Sequence, residues 1–169
     1  MIPMSRNSKF SVLAAAILLS LLTLCFSGCV GPIIAKQKVR EGFEYLNQRD
    51  IPKFLSLWDD GAIFIYPGNV RASGTMSGKQ EVQKWFQHLM DEGPSVHFSI
   101  IRICVEDMAD LTGANVIAVE WENTVTNRMG KSFLVHGVSV IKTKSGKITH
   151  VRDYISDAEK LSEVWDENS

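Results

Sequence analysis

The sequence predicts an α+β fold, a curved antiparallel or mixed sheet wrapped as a cone around N-terminal helices. Three observations lead there. Apolar residues recur at helical spacing in the first half of the chain after Cys29, and at a period of two in the second half. The strand-like segments are joined by short turns rather than by crossover helices, so neighbouring strands run antiparallel. Helices first and strands afterwards is the order of an α+β domain rather than of an alternating α/β one.

The chain has 169 residues, one domain's worth. Its first 28 residues read as an address. Arg6 and Lys9 precede the apolar run Phe10–Phe26, and the small pair Ser27-Gly28 follows, the three parts of an export signal. Phe26-Ser27-Gly28-Cys29 resembles the bacterial lipobox, which implies a diacylglyceryl group on Cys29 and cleavage in front of it. An uncleaved membrane anchor and an ordinary secreted protein are the alternatives. The expected location is therefore exported, lipid-anchored to a bacterial membrane in the cell envelope. Arg6 and Lys9 are the only charges before Cys29, so the rest keeps 16 of the 18 bases against all 19 acids, a net charge of −3. That balance gives no reason to expect nucleic acid as a partner. With Cys25 removed and Cys29 acylated, only Cys104 is left, so no internal disulfide can form. Cys104 lies in the apolar run His97–Val105 and is expected as a small buried hydrophobe. The histidines stand singly, and there is no CxxC pair and no HExxH, so neither metal nor cofactor is expected.

Residues 29–34 read as a tether and 35–165 as the folded domain, with 166–169 a tail. A first helix runs over Ile33–Gln48, with Ile34, Val39, Phe43 and Leu46 on its apolar side. Asp50 can cap a second helix, Ile51–Trp58, whose first turn holds Pro52. Asp59-Asp60-Gly61 reads as a turn, Ala62–Tyr66 as a short strand ended by Pro67-Gly68, and the stretch to Met76 as a loop. A third helix begins at Ser77, with Val82, Trp85, Phe86 and Leu89 at i, i+3, i+4 and i+7, and ends at Gly93-Pro94. Strands Val96–Val105, Asn115–Thr126, Ser132–Thr143 and Lys147–Ile155 form a meander. A short helix over Asp157–Trp165 closes the chain. Trp58, Phe86 and Val135 are expected in the core.

Leu57-Trp58-Asp59-Asp60-Gly61-Ala62, Ser77-Gly78-Lys79-Gln80-Glu81-Val82, Gly146-Lys147-Ile148 and Arg152-Asp153-Tyr154 follow in an order that resembles the SnoaL-like branch of the nuclear transport factor 2-like superfamily. The resemblance spans about residues 35–165. It implies the cone and an internal pocket but no single activity, because the fold hosts isomerases, hydrolases and non-catalytic modules. Val119–Ile155 is most similar to limonene epoxide hydrolase-like members, which use an Asp–Arg–Asp trio. Asp153 matches one Asp and Glu122 the other carboxylate, while Glu120 stands at the Arg position and reverses its charge. The water-holding positions fall on Phe64 and Tyr66, so the water-activating set is lost and epoxide hydrolysis is not expected. The general base and oxyanion-hole carboxyl of ketosteroid isomerase-like members fall on Tyr66 and near Val138, neither of which can play those roles.

What remains as candidate chemistry is a carboxylate cluster of Asp153, Glu122 and Glu120, with Phe64, Tyr66, Val135 and Val151 as ligand-contacting wall. Alternation puts Glu120 and Glu122 on one face of their strand, and either that face lines the pocket or it is solvated. The opposite face, with Ile117, Val119, Trp121 and Val125, looks like the buried side. Both readings hold together if a second subunit covers the apolar face, as back-of-sheet homodimers of this superfamily do. Three functions compete. One is a lipid-anchored pocket protein for a small, mainly apolar molecule, with acid/base chemistry at Asp153 left open. Another is a non-catalytic interaction module of the cell envelope, using a patch such as Val119, Trp121, Val138 and Val140. The third, a true hydrolase or isomerase, needs Asp153 inside and shielded.

Overall fold

The computed structural model describes residues 30–93, 95–127 and 129–156. Cys29, the residues before it and the expected helix over 157–165 lie outside the described residues. Helix α1 spans Val30–Asn47 and α2 Ile51–Ser56; strands β1 (Trp58–Tyr66) and β2 (Gly74–Ser77) precede α3 (Lys79–Glu92). Strands β3 (Ser95–Val105), β4 (Val116–Thr126), β5 (Ser132–Lys144) and β6 (Lys147–Ile155) follow. They form one six-stranded sheet in the order β2-β1-β6-β5-β4-β3. Only the β1–β6 pair is parallel; β3 to β6 are an antiparallel meander.

The junction between α1 and α2 is built by local chemistry. Arg49 takes a left-handed φ of 59° to break the first helix. Asp50 then accepts a hydrogen bond from the Lys53 N–H at 3.1 Å and caps the second helix, with Pro52 in its first turn. Asn47, the last residue of α1, ties that helix to the edge of the sheet. Its Nδ2 donates to the Phe98 carbonyl at 2.9 Å and its Oδ1 accepts from the Phe98 N–H at 2.7 Å. An edge strand has spare backbone groups, and a side-chain amide satisfies one donor and one acceptor together.

Helix α3 buries Val82, Trp85, Phe86, Leu89 and Met90, the stripe its spacing predicts. These side chains meet Phe54, Trp58, Phe64 and Tyr66 in an aromatic core, where the Phe64 and Phe86 rings stack at 5.2 Å and Phe54 meets Phe86 edge-on at 4.7 Å. Trp58, Phe86 and Val135 are all buried.

Several expectations need correction. Of the residues expected as a tether, 30–34 form the first turn of α1, which begins at Val30. Strand β1 starts at Trp58, because that residue pairs with Ile148 of β6; the expected turn at Asp59–Gly61 is an irregular part of the strand. The expected loop to Met76 contains β2, and Ser77 belongs to it, paired with Ile63, so α3 starts two residues later. Cys104 is exposed rather than buried. Its strand shifts register between Ile100 and Arg102, which turns Arg102 and Cys104 to the outer face. The apolar face of β4 is covered by the chain's own helices, so its burial needs no second subunit. Val119 and Trp121 are on that inner face and Val138 and Val140 on the other, so the four do not form one patch.

Candidate ligand pocket

Strands β4, β5 and β6 bend around the helices and leave a cavity of about 450 Å³ between them, within the range of small-molecule sites. Its wall is mostly apolar, built from the aromatic core, α1 and the inward residues of the sheet. The period of two on paired strands decides what polar chemistry enters. Ser139 of β5 sits directly across from Asp153 of β6, and Trp121 of β4 directly across from Gly137. All but Gly137 line the cavity.

These residues form a directed chain. The Trp121 Nε1–H donates to the Ser139 Oγ at 2.8 Å, and the Ser139 hydroxyl donates to Asp153 Oδ1 at 2.6 Å. An indole N–H is a donor only, so the Ser139 oxygen accepts from it and its single hydrogen goes to Asp153. A proton on Asp153 Oδ2 leaves both of these hydrogen bonds in place. Gly137 makes the arrangement fit. A Cβ there would lie 2.5 Å from Trp121 Cζ2, so the absence of a side chain is what lets the indole lie across β5 toward Ser139.

Asp153 is half-buried, and the surface it keeps is on the cavity side. Burial pushes its carboxyl up from 3.8 to about 7, against a smaller lowering by the Ser139 hydrogen bond. A carboxyl near that value is an acid and a base at neutral pH. Two further buried polar atoms on cavity-lining residues have no hydrogen-bond partner in the protein, Trp58 Nε1 and Asn123 Oδ1. Buried polar atoms ordinarily have partners, so these two are notable in a ligand cavity.

The structure does not bring the three expected carboxylates together. Glu120 and Glu122 are on the outer face of β4, where Glu120 lies 3.8 Å from Arg102 and Glu122 lies 3.8 Å from His136. Asp153 stands alone among them on the inner face. Phe64, Tyr66, Val135 and Val151 all line the cavity. Tyr154 and Arg152, its sequence neighbours, point outward and are exposed. Sequence reasoning missed Trp121, Asn123, Gly137 and Ser139 as site residues. The signal for Trp121 and Asn123 was the odd-numbered apolar set on β4, and for Gly137 and Ser139 the odd-numbered Phe133, Val135 and Ile141 on β5.

Residues 39–151 match the SnoaL-like domain. The chain belongs to this family. Its structure is similar to that of Bal32a from a soil-derived mobile gene cassette, with 22% identity, a TM-score of 0.69, and coverage of 77% of this chain and 95% of that one. A nuclear transport factor 2-like protein of unknown function from Burkholderia pseudomallei is 20% identical, with a TM-score of 0.64 and coverage of 77% and 95%. TerC, co-crystallised with polyporic acid, is 14% identical, with a TM-score of 0.65 and coverage of 76% and 95%. At these identities the likeness is one of fold: the nuclear transport factor 2-like cone. No protein of curated function matches the chain in sequence.

Proposed function

We propose that this SnoaL-like protein is a lipid-anchored pocket protein of the bacterial cell envelope. It binds a small, mainly apolar molecule that carries a carbonyl or hydroxyl group, and Asp153 exchanges a hydrogen bond or a proton with that group. The observation that carries this reading is the Asp153 carboxyl, oriented by Ser139 and Trp121 in an apolar cavity; among the described lining residues the other carboxylate, Asp110, stands on the β3–β4 loop at the mouth. A protonated Asp153 donates from Oδ2 to a carbonyl; an ionised one accepts from a hydroxyl. A lone carboxyl with no cation beside it favours neutral ligands over anions. The co-crystallisation of TerC with polyporic acid supports a small-molecule role for a cone of this shape. Anchoring rests on the signal-like first 28 residues and on the small pair before Cys29.

The test is the pH dependence of affinity for an apolar ketone, read by fluorescence of the cavity tryptophans. With a carboxyl near 7, the protonated fraction falls about tenfold between roughly pH 6 and pH 8, and ketone affinity should fall with it. An alcohol of the same shape should show the opposite trend, and Asp153→Asn should bind the ketone equally across the range. A flat profile in the parent protein refutes the role of Asp153. Anchoring is checked by mass spectrometry of the membrane-extracted protein, which should show an acylated N-terminal Cys29. A Cys29→Ser form that is processed and retained at the membrane in the same way refutes it.

A further inference from the structure

The cavity opens at one end of the cone. Of the residues that line it, the exposed ones are Ile34, Lys38, Leu111, Thr112 and Ser145. They come from the start of α1, the β3–β4 loop and the β5–β6 turn, three segments held against one another. Gly31 approaches the loop so closely that a Cβ there would lie 1.9 Å from the Asp110 carbonyl oxygen. The Gly146 N–H donates to the Gly113 carbonyl at 3.0 Å, and Lys38 Nζ donates to the Gly146 carbonyl at 3.3 Å.

This rim has an unusual surface. Of the eight exposed large apolar side chains among the described residues, Ile33, Ile34, Met108 and Leu111 stand on the helix start and the loop that frame the mouth. The others are dispersed: Ile101, Leu134 and Tyr154 on the strands, and Met129 on the β4–β5 turn at the opposite end of the sheet. Four exposed lysines belong to the same end of the molecule, Lys38 on α1 and Lys142, Lys144 and Lys147 around the β5–β6 turn, where Lys147 Nζ also donates to the Ser56 carbonyl at 2.6 Å. The loop carries Glu106, Asp107 and Asp110, but the last two turn a carboxylate oxygen back onto loop N–H groups, at Ala109 and Thr112, each at 2.8 Å. Exposed apolar residues with lysines at the same end of the molecule suit the boundary between acyl chains and acidic headgroups. The anchor position agrees, because α1 starts at Val30, the residue after Cys29.

The geometry points to this rim as a membrane-docking surface. It rests on the anchored-pocket reading and deepens it: the mouth lies against the leaflet that holds the anchor, acidic headgroups meet the lysines, and the ligand is an amphiphile that enters from the bilayer. Asp153 lies six residues along β6 from Lys147 at the rim, about 20 Å at the rise of a strand. The ligand's apolar body would then span the depth of the cavity, with its polar group at Asp153.

The full chain, carrying Cys104→Ser and a single environment-sensitive label at either Leu111→Cys or Met129→Cys, is reconstituted into vesicles with phosphatidylglycerol and nitroxide-bearing lipid. Docking predicts quenching of the label at position 111 with little at 129, and weaker quenching at 111 when phosphatidylglycerol is replaced by phosphatidylcholine. Equal quenching at the two positions, or none at 111, overturns the docking surface; quenching indifferent to headgroup charge overturns the role of the lysines. Ketone binding and the mass of the Cys29 peptide are read on the same vesicles. Lost quenching with binding and acylation intact defeats docking alone, whereas quenching at 111 without ketone binding supports docking and defeats the pocket reading alone.

Discussion

Replacing Asp153 by Asn should make the protein's stability less dependent on pH, in a direction and amount fixed by the site. The folded protein holds the Asp153 proton up to about 7, while an exposed aspartate releases it near 3.8. Between those values the native state binds more protons than the unfolded chain, so its stability falls as pH rises. The stabilisation is complete below about pH 4 and is lost as pH rises through about 7. A shift of about three units corresponds to about 4 kcal/mol, less whatever water inside the cavity restores to the carboxylate. From about pH 5 to pH 8 the loss is about 3 kcal/mol, which for a chain of this size moves Tm by about 5–10 °C. Asn keeps the shape of the side chain and still accepts the Ser139 hydrogen bond through Oδ1, but it does not titrate. Thermal unfolding of parent and variant in matched buffers reads the difference directly, because every other titrating group is common to both. The variant should gain on the parent by that amount toward high pH. Parallel Tm curves would show that the carboxyl is not held protonated, and the reasoning from burial would fail.

Two other changes probe the same chain of hydrogen bonds. Ser139→Ala removes the hydroxyl that favours the ionised carboxyl, so Asp153 should titrate higher than in the parent; carbon NMR of labelled aspartate measures this, and an unchanged or lower value counts against the Ser139 contact. Gly137→Ala places a methyl 2.5 Å from the Trp121 ring, which must move; about 1–3 kcal/mol of destabilisation is expected in denaturant unfolding, together with changed fluorescence of that indole, and a neutral result would mean that the ring is not pinned there.

The elements legible in the sequence were those whose pattern repeats often enough to outvote its exceptions. Helix α3 shows its stripe over two turns, and β4 and β5 alternate through their buried stretches. Strand β2 has four residues, none buried, so no period could announce it. The start of β1 was hidden because its pairing with β6 is parallel and distant in sequence, and a Trp after a short helix reads equally well as that helix's last turn. Cys104 was misjudged because β3 holds Ile100 and Ile101 side by side. Two adjacent apolar residues in an edge strand leave the parity undetermined, and the bulge resolved it toward the outer face.

The sequence left open which face of β4 lines the pocket. Glu120 and Glu122 share one face of the strand, and the inward side chains are Trp121 and Asn123. Neighbouring residues on a strand face opposite ways, so the positions that resemble the charged ones of related enzymes fall on the solvent side. A similar ambiguity sits on β6, where Ile148 and Val151 both line the cavity although three residues apart. That spacing breaks the alternation and marks the bulge, after which Asp153 falls opposite Ser139 rather than opposite Val138. The consequence is chemical as well as geometric. With Glu120 and Glu122 outside, the pKa of Asp153 is set by lost hydration rather than by repulsion from a second carboxylate. A carboxylate pair would divide acid and base roles between two groups; a lone carboxyl, aimed by a neutral hydroxyl and an indole, changes role only with its own protonation. On the function proposed for it, the cavity would distinguish ligands by whether they offer a hydrogen-bond acceptor or a donor, and pH would decide which of the two it prefers.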